Sequence, residues 1–257
     1  MNFRLTAYKD LLLVFIWREL LIRYKQTVIG ILWAVLQPVS LMMLFTFIFG
    51  MVLHTTHKNY PYVLFFYAGV LPWTFFSGAA NFSVSSLSGN FNLVTKIYFP
   101  REIIPLSGVA INFIDYLIGL LVYFILLLFY GIPLTWNFFW IIPLMFMMVV
   151  YTTSISLLLS ALNVYYRDVK LASTFLLQFL FFATPVIYSI DSVDNQWKSL
   201  LFLNPLTFIV ENMRRVTIEG RGIVLWQIGA EMFGVIVLYF MIYKIFIKIE
   251  RAFADVI

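Results

Sequence analysis

The chain has 257 residues, of which 63% are hydrophobic and 11% are charged, and its mean hydropathy is +0.95. Soluble domains carry roughly 45–50% apolar and about 25% charged residues, so this composition excludes a water-soluble fold. It predicts an all-α integral membrane protein, because a helix satisfies its own backbone amides in lipid. Cysteine is absent, which excludes disulfides, thiol catalysis and cysteine-ligated metals.

The first segment, 1–27, predicts an amphipathic helix in the cytoplasmic headgroup layer. Its longest apolar run, 11–17, has seven residues, and charges continue to Lys25, so a signal peptide is excluded. On a helical wheel Arg4, Arg18 and Lys25 share one arc, and apolar residues cover much of the rest. Such a helix either only anchors the chain or also contacts a partner.

Six apolar segments follow, and each is long enough to cross a bilayer, because a hydrocarbon core of about 30 Å needs about 20 apolar residues. The predicted crossings are 28–53, 61–84, 105–130, 137–162, 170–189 and 223–247. They make 28–257 a predicted six-helix transmembrane domain. Residues 190–222 predict an outer hairpin that is re-entrant or interfacial, because the apolar stretch 200–210 has eleven residues, too few to cross, and Asn204-Pro205 interrupts it.

The distribution of Lys and Arg predicts the orientation, since these residues accumulate on the cytoplasmic side. With six crossings, one side holds twelve of them: Arg4, Lys9, Arg18, Arg23, Lys25, Lys96, Arg101, Arg167, Lys170, Lys244, Lys248 and Arg251. The other side holds five: Lys58, Lys198, Arg214, Arg215 and Arg221. Both termini are therefore predicted to be cytoplasmic.

Three predicted crossings carry polar and aromatic side chains on one face. The candidates are Trp33, Gln37, Ser40 and Phe47 on the first, Trp73, Ser77 and Asn81 on the second, and Thr174, Gln178, Phe181 and Tyr188 on the fifth. Helix–helix packing is one explanation, since polar residues join neighbouring helices in membranes. The other is a substrate pathway for a sugar, whose hydroxyls form hydrogen bonds and whose C–H faces stack on aromatic rings.

Two acids lie within predicted crossings, Asp115 and Glu231. A charge there is costly, so each is expected to face protein or water, and structural hydrogen bonding is favoured over a proton relay because no intramembrane Lys, Arg or His is predicted to pair with them. His54 and His57 lie in a short outer loop without a nearby acid, so no metal site is predicted.

The energy source is predicted to lie outside this chain. No Gly-x-x-x-x-Gly-Lys-Ser/Thr phosphate loop occurs in it, so it is not an ATPase by itself. Passive conduction, coupling to an ion gradient and force from a separate subunit remain open at this point. The loop 91–104 favours the last, because it mixes Tyr98 and Phe99 with Lys96, Arg101 and Glu102, as a docking surface does. Anchoring of the aromatic rings in the headgroup layer is the alternative.

Four segments, in this order, resemble the permeases of polysaccharide ABC exporters. They are 23–38 (RYKQTVIGILWAVLQP), 96–105 (KIYFPREIIP), 163–169 (NVYYRDV) and 204–214 (NPLTFIVENMR). The similarity is greatest to the subunit that exports lipid-linked O-antigen in Gram-negative bacteria, with capsule and teichoic-acid exporters as near relatives.

The resemblance implies a type-2 ABC exporter fold in the inner membrane and a homodimer that encloses the sugar channel. It also implies two separate ATPase subunits, which bind ATP and Mg, while this chain carries no cofactor, metal site or catalytic residue and binds no nucleic acid. The coupling residues would be Lys96, Tyr98, Arg101 and Glu102 in the loop 91–104, with Tyr166, Arg167 and Asp168 nearby.

Two rival functions are weighed against export. A membrane-embedded glycosyl or lipid transferase would need a pair of acids, or an acid and a histidine, near a membrane surface, and no such close cluster is evident in the sequence. An ion-coupled transporter would show inverted repeats and buried charges at mid-depth.

Overall fold

A computed structural model describes residues 2–25, 27–52, 60–96 and 99–251, with the side chains of 2–7, 31, 51, 52, 95 and 251 left out. Within these ranges the chain forms helices and turns and no strand. The helices are α1 (Asn2–Tyr24), α2 (Trp33–Phe45), α3 (Tyr62–Gly89), α4 (Phe91–Lys96), α5 (Ile103–Phe129), α6 (Ile141–Tyr165), α7 (Val169–Ala183), α8 (Asn195–Leu201), α9 (Pro205–Thr217) and α10 (Leu225–Arg251). A π-helical segment, Thr46–Val52, continues α2, and a 3₁₀ turn, Trp136–Trp140, leads into α6.

In the described part of the chain, five helices are long and apolar enough to cross a membrane. They are Trp33–Gly50, Tyr62–Gly89, Ile103–Phe129, Trp136–Tyr165 and Leu225–Glu250, which match five of the six predicted crossings. The other prediction, 170–189, differs from the structure. There α7 has only 15 residues and ends before Thr184 and Pro185, which gives about 22 Å of helix against a core of about 30 Å.

Helix α3 is the centre of the bundle. It packs against α2, α5, α6, α7 and α9. Of its most apolar 18-residue stretch, 78% is buried. Small residues bring α3 and α5 close together, as in many membrane helix pairs. A Cβ added at Gly108 would lie 2.0 Å from the Phe82 ring, and one added at Gly78 would lie 2.5 Å from Oδ1 of Asn112.

The segment after α7 folds back onto the bundle through α8 and α9. Asn204 caps α9 by accepting a hydrogen bond from the Leu206 amide, with Pro205 in the first turn, a combination typical of helix starts. The Asn204 amide also donates to the Thr184 hydroxyl at 2.9 Å, which ties α9 to the end of α7. Because α9 packs against α3 and α6, its buried face belongs to the protein core. We call this end of the bundle the α9 end.

The opposite end, which we call the α4 end, joins three distant parts of the chain. Phe15 of α1 stacks on Phe99 at 5.9 Å. Glu250 of α10 accepts from the Arg101 amide, and its carbonyl accepts from the Arg101 guanidinium at 2.8 Å. Helix α1 then runs along the first half of α5. The predicted N-terminal helix is thus present, and its place in the headgroup layer stays a prediction.

Candidate functional site

A groove lies between α2, α3 and α7 and encloses a cavity of about 400 Å³. We call it the α2–α3–α7 groove. It contains seven of the predicted pathway residues: Gln37, Trp73, Ser77, Asn81, Thr174, Gln178 and Phe181. These residues come from three sequence-distant stripes, and they meet because α2 and α7 both pack against α3.

The groove has an aromatic floor and a polar rim. Trp73 is 8% exposed, and its ring centroid lies 5.4 Å from that of Phe181. Phe45 joins the floor by contacting Phe181 at 6.3 Å. The amides of Gln37, Asn81 and Gln178 lie at exposed positions around these rings. A sugar chain would stack its C–H faces on such rings, and its hydroxyls would form hydrogen bonds with such amides.

The other four pathway candidates lie outside this groove. Trp33 is 50% exposed and lines a second cavity of about 340 Å³. The Ser40 hydroxyl donates to the Leu36 carbonyl of its own helix, and Phe47 lies exposed on the π-helical segment. The Tyr188 hydroxyl donates to the Phe182 carbonyl, 3.1 Å away, beyond the end of α7. Gln37 and Thr74 border both cavities, and Gln37 is the one of the two that was a pathway candidate.

Asp115 has a charged partner, which corrects the expectation that no intramembrane cation is available to it. Arg23 and Tyr24, at the end of α1, both donate to the Asp115 carboxylate, and Arg23 also reaches Oδ1 of Asn112 at 3.4 Å. Burial and the hydrogen bond to Asp115 raise the pKa of Tyr24 to about 12, so its phenol keeps the proton that it donates. Sequence reasoning assigned Arg23 to the headgroups; the spacing of Asn112 and Asp115, three residues apart on one helical face, was the available signal.

Arg214 is a second residue whose role the sequence did not reveal. It was counted among outer-loop cations, yet its side chain is 2% exposed. The guanidinium donates to the carbonyls of Phe65, Val186 and Tyr188 and to the Glu211 carboxylate at 2.9 Å. Burial lowers the pKa of Arg214 and raises that of Glu211, and their ion pair opposes both shifts. Arg214 therefore fastens α9 to the start of α3 and to the chain after α7.

Glu231 does not show the structural hydrogen bond expected of it. No bond or ion pair from its carboxylate is found among the residues that the structure describes. It faces instead a cavity of about 520 Å³ between α9 and α10. The expectation that this acid faces protein or water is met by that polar cavity.

The predicted coupling residues divide into two groups. Lys96, Tyr166, Arg167 and Asp168 are exposed. Arg101 is bonded to Glu250, and Glu102 accepts from the Tyr8 hydroxyl at 3.1 Å, so both serve contacts within the chain. The sequence had offered docking of a separate subunit as their role. Tyr98, like His54 and His57, lies outside the described residues.

Metal-ligating chemistry finds no support in this part of the chain. Across the described ranges no three His, Cys, Asp or Glu side chains gather closely enough to hold a metal ion. Asp115 pairs with an arginine rather than with a second acid. A pair of acids arranged for acid–base catalysis is therefore not present at that site.

Comparisons with known proteins identify the family of this chain. An O-antigen export system permease protein RfbA of Klebsiella pneumoniae is 30% identical over 247 residues, which cover 91% of this chain and 95% of the relative. The protein of the same name from Myxococcus xanthus is 31% identical, covering 84% of each chain. The polysialic acid transport protein KpsM of Escherichia coli is 25% identical, covering 79% of each. The family described as ABC-2 type transporter matches residues 10–218. With more than half of its length matched, the chain belongs to the ABC-2 type transporter family.

Proposed function

We propose that this chain is the membrane permease subunit of an exporter that moves a lipid-linked polysaccharide of the O-antigen type out of the cytoplasm. The observation that carries the proposal is the similarity, over most of both chains, to permeases named for O-antigen export. The energy comes from a separate ATPase, which binds ATP and Mg, because this sequence has no phosphate loop. Capsule or teichoic acid is the alternative cargo, and the similarity to a polysialic acid transporter keeps capsule open.

The working assembly is a homodimer with two ATPase subunits in the bacterial inner membrane. Helix α2 supports this arrangement, because only 11% of the apolar span that it begins, Trp33–Gly50, is buried within one chain. Its exposed side chains include Leu36 and Met43, and Phe47 is exposed on the π-helical segment that continues it. A second copy facing α2 and α7 would cover such side chains and close the α2–α3–α7 groove into a channel. The same proposal includes six crossings with both termini in the cytoplasm. The short helix α7 would form the crossing that the five long helices do not supply.

The ATPase docks at the α4 end, where Lys96, Tyr166 and Arg167 are exposed. Arg101 and Glu102 connect that surface to α10 and α1 through Glu250 and Tyr8. Movement of the docked subunit would therefore be transmitted together to α1, to α10 and to α5, which begins directly after Glu102. The start of α1 belongs to the same cytoplasmic surface.

The test is export by cells that carry the permease with its ATPase. Gln178→Ala, and Trp33→Ala at the neighbouring cavity, should lower surface polysaccharide or make the membrane leaky to ions, with insertion and dimerisation unchanged. Leu176→Ala is the matched control, because Leu176 is 51% exposed on α7 and lies outside the groove lining. Leu32→Ala serves the same purpose for Trp33.

Two results would contradict the proposal. Normal export by both variants, together with a loosened dimer, would assign the stripes to helix–helix packing. Sugar transfer by the purified chain without the ATPase would point to the transferase instead. Copurification of an ATPase and a bound glycolipid, detected by native mass spectrometry, would support the exporter.

A further inference from the structure

A polar cavity of about 520 Å³ lies at the α9 end, between α9 and the first turns of α10. Its volume is within the range of about 300–1,000 Å³ that small-molecule sites occupy. Charged and amide side chains line it: Glu211, Asn212, Arg215, Glu219, Arg221 and Glu231. It is separate from the α2–α3–α7 groove and shares no lining residue with it.

Most charges around this cavity are already paired. Glu211 accepts from Arg214 at 2.9 Å, and Glu219 lies 3.6 Å from Arg221. Asp191, which also lines the cavity, lies 3.9 Å from Lys198. Two groups of opposite sign remain. Nε of Arg215 is buried and has no hydrogen-bond partner among the residues that the structure describes. Glu231 makes no ion pair or hydrogen bond within the described ranges. The cavity thus presents one unsatisfied cation and one unsatisfied anion.

The length of α10 leaves room for this cavity to lie next to the lipid headgroups. Helix α10 has 27 residues, about 40 Å of helix, which exceeds the hydrocarbon core by about 10 Å. Glu231 is six residues beyond Leu225, which places it about 9 Å from the helix start. Trp226, which lines the cavity, is 71% exposed, as expected of an aromatic ring at the membrane interface. Lipid headgroups can therefore reach the cavity from the side.

We propose that this cavity binds the headgroup of an aminophospholipid. The lipid phosphate accepts hydrogen bonds from Arg215, and the primary ammonium donates to the Glu231 carboxylate. A choline headgroup has no N–H to donate, and a glycerol headgroup has no cation for Glu231. A sugar chain could satisfy both groups only through its hydroxyls. The cavity borders the exposed side of α10, at the lipid interface, which favours a membrane lipid over that chain.

The experiment compares headgroups on the full-length chain purified in detergent. Phosphatidylethanolamine, phosphatidylcholine and phosphatidylglycerol with identical acyl chains are titrated, and bound lipid is measured by native mass spectrometry. Phosphatidylethanolamine should bind about tenfold more tightly than phosphatidylcholine, the effect of one charge-assisted hydrogen bond. Glu231→Gln should remove that preference, and Arg215→Gln should weaken binding of all three lipids.

Asp194→Asn is the matched control, because Asp194 is an exposed acid at the same end and outside the cavity lining. It should keep the full preference. Equal binding of the ethanolamine and choline lipids by the unaltered chain would overturn the proposal, whether or not the variants fold. Displacement of the lipid by a soluble oligosaccharide would overturn it as well and would identify a sugar site. None of these outcomes depends on export activity.

Discussion

Two arginines illustrate how charged residues are accommodated in a mostly apolar helical bundle. Arg214 is almost completely buried, and it is bonded to three carbonyls and to Glu211. Arg23 and Asp115 are partly exposed, at 34% and 22% of their side chains, and border a cavity. The first arrangement joins chain segments, and the second places an ion pair beside space that water can enter.

Replacing Arg214 by Met should destabilise the chain by about 3–5 kcal/mol, because Glu211, whose side chain is 18% exposed, would lose its cation and three backbone carbonyls would lose their donor. The midpoint of thermal unfolding in detergent measures this. Arg221→Met is the control, since that side chain is 73% exposed and its loss should change stability by less than about 0.5 kcal/mol. Equal stability of the two variants would show that the Arg214 contacts contribute nothing net.

The pairing of Arg23 with Asp115 can be measured by a double-mutant cycle. Arg23→Gln and Asp115→Asn should each destabilise the chain, and together by less than their sum, with a coupling energy of about 0.5–3 kcal/mol. The same unfolding assay gives all four values. Strict additivity would mean that the two side chains do not interact in solution.

At the scale of helices, length and hydropathy predicted most of the crossings. Five crossings could be predicted because each is a predominantly apolar helical segment of 18 residues or more. The end of α7 could not, because Leu180–Ile187 stays apolar while Thr184 and Pro185 end the helix. The burial of α9 was also missed, since only tertiary contacts distinguish its buried face from an interfacial one.

Seven residues of the α2–α3–α7 groove could be named from the sequence, because they belong to the stripes on the first, second and fifth predicted crossings. Which residues face each other was not predictable, because helical spacing fixes one face of one helix and no distance between helices. Trp33 and Gln37 share a stripe, yet only Gln37 reaches the groove. The ion pair between Arg23 of α1 and Asp115 of α5 was missed for the same reason.

Gly108 sets the distance between α3 and α5, so Gly108→Ala should separate them. The added Cβ would overlap the Phe82 ring, and such overpacking typically costs about 1–3 kcal/mol. Gly234→Ala is the control, because a Cβ there meets nothing within 4 Å. It should be neutral or stabilise α10 by up to about 1 kcal/mol. A fall in unfolding midpoint for both variants would contradict the close-packing argument.

For the whole molecule, topology is the property that most constrains function. The α4 end gathers α1, the loop after α4 and the end of α10. The α9 end gathers α8, α9 and the start of α3. An exporter of the proposed kind needs these two ends on opposite sides of the membrane, with the ATPase at the first.

Single cysteines can establish these sides, because the chain has no cysteine of its own. Asn195→Cys and Arg221→Cys should both react with a membrane-impermeant maleimide in intact cells, while Arg167→Cys should react only after lysis. Reaction of Asn195→Cys from outside and of Arg221→Cys only after lysis would mean that α9 crosses the membrane. Reversed labelling of all three would invert the orientation.

The central place of α3 has a consequence for biogenesis. Of the five candidate spans, α3 has the lowest hydropathy, 1.5, and the largest buried share, 78%, whereas α5 has 2.3 and 33%. During synthesis α3 enters the bilayer before α5, α6 and α9 exist, so lipid at first contacts serines that later face protein. A nascent chain that ends at Gly89 should therefore insert α3 less completely than one that extends through Phe129.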